Sequence, residues 1–203
     1  MVIAVIISRP KEEGARLSGE QQQELSTGNE YPGIDYEIAG APTEEDVNAY
    51  YALTMNENLQ DARVEIPGAS PISQDNKIMT YEGEVADNSV APGSALAPKV
   101  TQNLTEAQLP NGTLLLSIDS NGFNPNQINA RAGEPVTIAL KNIDSKVHVF
   151  MFDDPSLKAI AIPVMEGELK AITFNAPPAG TYTFRCDFPG HKEGGEVGTL
   201  IVR

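Results

Sequence analysis

The chain has 203 residues with 14 basic and 28 acidic side chains, a net charge of -14, and it contains one cysteine and two histidines. Such a charge repels nucleic acid and anionic lipid surfaces, so a nucleic-acid partner is excluded. A single cysteine closes no internal disulfide, which leaves it as inert core, reactive thiol or metal ligand.

The chain opens on MVIAVIIS, an apolar run followed at once by RPKEE. The run is far shorter than the roughly 20 residues that span a bilayer, and it lacks the basic n-region and cleavage site of a signal peptide. Residues 1–8 are read as the end of a truncated membrane anchor whose start lies upstream. The remainder would then sit outside the cytoplasm, in the periplasm or at the cell surface, tethered through its N-terminus.

Residues 11–110 carry 5 basic and 18 acidic side chains, against 8 and 10 in residues 111–203. That shift marks a domain boundary near residue 111. Stretches such as STGNEYPG, AGAPTEED and PGASPISQDN interrupt every run in the first region. Low apolar density with high charge predicts a largely irregular acidic spacer over 9–110, and the Pro, Ala and Ser content of 88–110 suits an extended linker. One short helix is expected over 44–55, where Thr43 caps Glu44, Glu45 and Asp46 ahead of VNAYYALTM.

From residue 112 the texture changes to short β-rich runs: TLLLSI, FNPNQINA after the Asn121-Gly122 turn, PVTIALKN, VHVFMF, LKAIAIP, LKAITF, TYTFRC and VGTLIV. About eight strands at this spacing, with no helical period between them, predict an all-β domain, an antiparallel Greek-key sandwich or barrel. Val136, Ile138 and Leu140 alternate with Thr137, Ala139 and Lys141, as in a strand with one wet face. VHVFMF is apolar on both faces and reads as a central strand.

Alternation in TYTFRC turns Tyr182, Phe184 and Cys186 inward. In VHVFMF it places His148 on one face with Phe150 and Phe152. Four residues including Pro189 and Gly190 separate Cys186 from His191, enough for a tight loop that brings the histidine back. A thiolate with two imidazoles is the ligand set of a trigonal copper site, in which soft sulfur and borderline nitrogen suit both Cu(I) and Cu(II).

With those residues in view, residues 112–203 resemble the cupredoxin, or blue copper, family. The resemblance is carried by GFNPNQINARAGEPVTI, the K-N-x-D-x-x-x-H segment that ends at His148, AGTYTFRC, and C-x4-H followed by GTLIV. It implies one copper ion held by His148, Cys186 and His191. One position departs from the pattern. Where the family usually places an axial methionine, two residues before the glycine of the last strand, this chain has Glu196. A carboxylate is a harder donor than a thioether and would favour Cu(II).

The resemblance implies one-electron transfer through a transient redox partner, by a monomer that is not an enzyme. Three readings stay open beside it: a periplasmic copper-binding or chaperone module, a red-copper-type site that binds a small ligand, and zinc in place of copper, since thiolate, imidazole and carboxylate all suit Zn(II).

Overall fold

The computed structural model describes residues 56–203. The anchor expected at 1–8 and the helix expected at 44–55 lie outside the described residues. Among the described residues no helix is long and apolar enough to cross a membrane.

Among the described residues nine strands form two sheets. They are β1 (Leu114–Asp119), β2 (Gly122–Asn124), β3 (Gln127–Ala130), β4 (Pro135–Asn142), β5 (His148–Phe152), β6 (Ala161–Val164), β7 (Leu169–Asn175), β8 (Gly180–Cys186) and β9 (Val197–Val202). One sheet has the order β2-β1-β4-β7 and the other β3-β9-β8-β5-β6. This is the expected all-β sandwich, and β5, flanked by β8 and β6, is central as predicted.

Two details differ from expectation. FNPNQINA is two strands rather than one. Phe123 and Ile128 are both buried, yet an odd spacing of five would put them on opposite faces of one continuous strand. The chain resolves the conflict by changing sheets: β2 pairs with β1, and β3 pairs with β9. Pro125 lies at the break, where its missing N–H removes no ladder bond. The second difference follows from the first. Once the chain has crossed over, β4 returns beside β1 in parallel and β3 lies parallel to β9, so the sandwich is mixed rather than purely antiparallel.

The acidic spacer and linker expected over 9–110 is corrected for residues 56–110. Their backbone is irregular, with isolated bridges and short 3-10 turns, but Leu59, Ile66, Ile72 and Ile78 are all buried. Ile66, Ala69 and Leu104 pack onto Ala139, Leu169 and Ala171. Ala139, assigned to a wet face by alternation, is therefore 0% exposed. Thr101 N–H donates to the Ala171 carbonyl at 2.9 Å and Leu104 N–H to that of Leu169 at 2.7 Å, so the segment also pairs with the otherwise open β7 edge. Ile72, Ile78 and Ala86 close into a small cluster of their own. Ile66, Ala69 and Leu104 bury instead against a sheet face formed later in the chain.

Between the sheets lies an aromatic cluster. Phe123 meets Phe184 edge-on at 5.1 Å, Phe150 meets Phe152 edge-on at 5.1 Å, and Phe150 and Phe184 are 4.8 Å apart. Such contacts, repeated in a close-packed interior, leave little room for side-chain adjustment.

The packed segment yields a stability prediction. Ile66→Ala in the full chain should lose about 2–5 kcal/mol in denaturant unfolding, whereas a solvated spacer would lose next to nothing.

Candidate metal centre

Strand β5 begins with His148 and β8 ends with Cys186. The two run antiparallel with Phe150 opposite Cys186, so Cys186 stands diagonal to His148 on the inner face. Both side chains are 0% exposed. Beyond the last ladder pair, Asp187 N–H donates to the Val149 carbonyl at 2.8 Å and Val149 N–H donates to Cys186 Sγ at 3.3 Å. The thiol thus receives a backbone donor from the strand that carries the first histidine.

The loop from 187 to 196 folds back through its own backbone. His191 N–H reaches the Phe188 carbonyl at 3.1 Å, Glu196 N–H reaches that of His191 at 3.1 Å, and Cys186 N–H reaches that of Glu196 at 2.9 Å. Gly190 and Gly195 make these reversals at φ of 84° and 99°, where a side chain would be strained. Cysteine, histidine and glutamate, each separated by four residues, are drawn to one point.

All four residues singled out in the sequence meet there. Cys186 Sγ lies 3.5 Å from His191 Nδ1 and 3.8 Å from His148 Nδ1. Glu196 Oε2 lies 2.8 Å from His148 Nδ1 and 3.0 Å from His191 Nδ1. The four candidate ligand atoms lie within 4.8 Å of one another, and among the described residues this is the one such cluster. Sulfur at about 2.3 Å and nitrogen at about 2.0 Å from one ion, at tetrahedral to trigonal angles, stand roughly 3.5–3.7 Å apart. The observed sulfur–nitrogen separations match, so the residues fit a single ion. The shorter oxygen–nitrogen distances suit either a shared proton or a fourth donor at a tighter angle.

Glu196 does not face water: it is 3% exposed. His191 is the outermost of the four, with 14% of its side chain exposed and the Phe188 ring 4.9 Å away. Burial pushes the Cys186 thiol up despite the backbone donors of Val149 and Phe188, and the neighbouring Glu196 pushes it the same way. A metal entering the site must displace that thiol proton.

On the outer face the side chains that flank the loop are tied down by charge. Arg185 pairs with Asp153 and, at 2.7 Å, with Asp187, while Lys192 reaches Asp153 at 3.0 Å.

Sequence reasoning missed Asp144. Its Oδ1 lies 3.0 Å from His148 Nε2, the ring nitrogen turned away from the cluster. Partial burial opposes its charge, but donors from Lys146, Ser120 and His148 outweigh that and hold the carboxyl far below the usual range. The signal was present in the K-N-x-D-x-x-x-H segment, four residues before the histidine. Nothing in the spacing alone distinguishes it from a solvated loop aspartate.

A family model described as a cupredoxin-like domain matches residues 94–202, just over half of the chain. Auracyanin-B of Chloroflexus aurantiacus is 26% identical over 144 residues, a match that covers 67% of this chain and 57% of that protein. Among solved structures, dithionite-reduced auracyanin from Roseiflexus castenholzii is 24% identical, with 46% of this chain and 98% of that one covered and a TM-score of 0.41. An auracyanin B structure is 23% identical, with 53% and 98% covered and a TM-score of 0.42.

A fitted ion should also stabilise the protein. Copper present at about a thousand times its Kd is expected to raise unfolding free energy by about 4 kcal/mol. Thermal unfolding with and without the metal measures this, and Cys186→Ser should abolish most of the gain.

Proposed function

This chain belongs to the cupredoxin-like family, and from that premise we propose that it is a one-electron carrier holding a single copper ion between His148, Cys186 and His191. The observation that carries this reading is the convergence of one thiol and two Nδ1 atoms, with sulfur–nitrogen distances of 3.5 and 3.8 Å. A bound copper ion would supply a couple between Cu(I) and Cu(II). The chain's own part is to hold the donors still. His148 and Cys186 sit on paired strands backed by the phenylalanine cluster, so neither oxidation state can draw the ligands far.

His191 is the natural electron exit, because it alone of the four combines a ring nitrogen in the cluster with an edge at the surface. Phe188, 42% exposed, lies beside that edge and suits a brief, weakly held encounter with a redox partner.

Glu196 is proposed as the fourth donor. A divalent ion with one thiolate and one carboxylate is neutral, whereas the monovalent ion with the same ligands carries a negative charge. Since this site is desolvated, a net charge there is costly. Glu196 therefore favours the oxidised ion and lowers the reduction potential relative to a thioether in its place. The absence of a thioether also gives a second reading some weight: cysteine, two histidines and a glutamate form a tetrahedral set that Zn(II) accepts.

Adding Cu(II) to the purified protein should give an intense visible charge-transfer band, absent in Cys186→Ser, and a reversible couple. Copper uptake with neither band nor couple would overturn the carrier reading and leave the zinc or storage readings. Glu196→Gln should raise the midpoint potential and change the colour; an unaltered spectrum and potential would remove Glu196 from the ligand set.

A further inference from the structure

We propose that Asp144 is a positioning residue for the metal centre: by accepting a hydrogen bond from His148 Nε2 it holds the imidazole with Nδ1 toward Cys186 and strengthens Nδ1 as a donor. The proposal rests on the reading of His148 as a ligand, but its structural premise can be tested without any metal.

His148 is 0% exposed, so neither ring nitrogen can turn to water. Its two nitrogens face different groups: Nδ1 meets Glu196 Oε2 at 2.8 Å and Cys186 Sγ at 3.8 Å, and Nε2 meets Asp144 Oδ1 at 3.0 Å. The carboxylate of Asp144 is itself fixed by three further donors. Lys146 N–H donates to Oδ1 at 2.8 Å, while Ser120 donates to Oδ2 through its N–H at 2.9 Å and its hydroxyl at 2.7 Å. A carboxylate that accepts three other hydrogen bonds is an acceptor toward the ring as well. The Nε2 nitrogen must therefore carry the proton, which leaves Nδ1 as the metal-facing atom. An anionic acceptor on Nε2–H also increases the basicity of the opposite nitrogen, as in the carboxylate–histidine–metal arrangements of other metalloproteins.

The fold supplies the brace from a third place. Ser120 belongs to the turn between β1 and β2, in the other sheet from His148, and Gly122, the first residue of β2 after that turn, abuts the ligand loop, where an added Cβ would stand 3.3 Å from the Gly195 carbonyl. The β1–β2 hairpin thus steadies His148 through Asp144 and abuts the backbone just before Glu196. Asn142 completes the loop from within: 1% exposed, it accepts from Asp144 N–H at 3.0 Å and donates to the Lys146 carbonyl at 2.6 Å.

The test uses the full chain and begins without metal. Imidazole 15N NMR of the wild type should show a slowly exchanging proton on His148 Nε2, and a bare Nε2 would overturn the proposal whatever metal the protein binds. In Asp144→Asn, affinity for Zn(II), a redox-inert probe, should fall about 10–100-fold. The midpoint potential of the copper form should rise by about 59 mV for each tenfold loss of preference for Cu(II) over Cu(I). Ser120→Ala, which removes one donor to Asp144 and leaves every residue of the cluster intact, should shift both in the same direction by less. If Asp144→Asn lowers the unfolding temperature of the metal-free protein but leaves affinity and potential unchanged, Asp144 is structural only. If the wild type binds neither metal while Nε2 is protonated, the failure lies with the proposed function and not with the placement of Asp144.

Discussion

The structure turns on the antiparallel register of β5 and β8, in which Phe150 stands opposite Cys186. Side chains alternate along both strands, so a slip of one residue would invert every one of them. A slip of β8 would bring Arg185 into the sandwich and turn Cys186 out, and a slip of β5 would do the same with Met151 and His148. The register is secured by what lies behind it: Phe150, Phe152 and Phe184 are buried together on the inner faces and interlock with Phe123. The same aromatic packing that makes the slip costly also makes the ligand positions stiff, so the stability of the core and the rigidity of the site have one cause.

Set against that rigid pair, the loop provides the remaining groups by closing on itself. Backbone bonds from Cys186 to Glu196 and from Glu196 to His191 tie the three side-chain positions to one another more closely than any is tied to solvent. Glu196 is the consequence that matters most. A carboxylate at 3% exposure needs charged or hydrogen-bonding partners, and its partners here are the two imidazoles. Here an acidic side chain stands in the most protected site of the chain, where it bears on metal preference and not on solubility.

Much of this was legible in the sequence. Period-two alternation turned Cys186 inward and put His148 on one face with Phe150 and Phe152, and the short Cys-Pro-Gly-His loop left little choice about where His191 returns. Other features were hidden for physical reasons. Ile66, Ile72 and Ile78 are isolated apolar residues among turn formers; Ile66 is buried on a sheet face that local pattern cannot reveal, and Ile72 and Ile78 close on each other and Ala86 across intervening turns. The switch of sheets inside FNPNQINA was encoded in the odd spacing of Phe123 and Ile128, a signal that becomes readable only once both are known to be buried. Asp144 differed from neighbouring acidic residues only in its distance from His148, and spacing by four within a loop carries no fixed direction, unlike spacing by four in a helix.

In the proposed centre one thiolate and two imidazoles of this chain share a single copper ion. X-ray absorption at the copper edge of the loaded protein measures that shell directly. One short copper–sulfur distance with two nitrogen neighbours, the sulfur lost in Cys186→Ser, is the predicted result. A shell of oxygen and nitrogen alone, unchanged by that substitution, would contradict it.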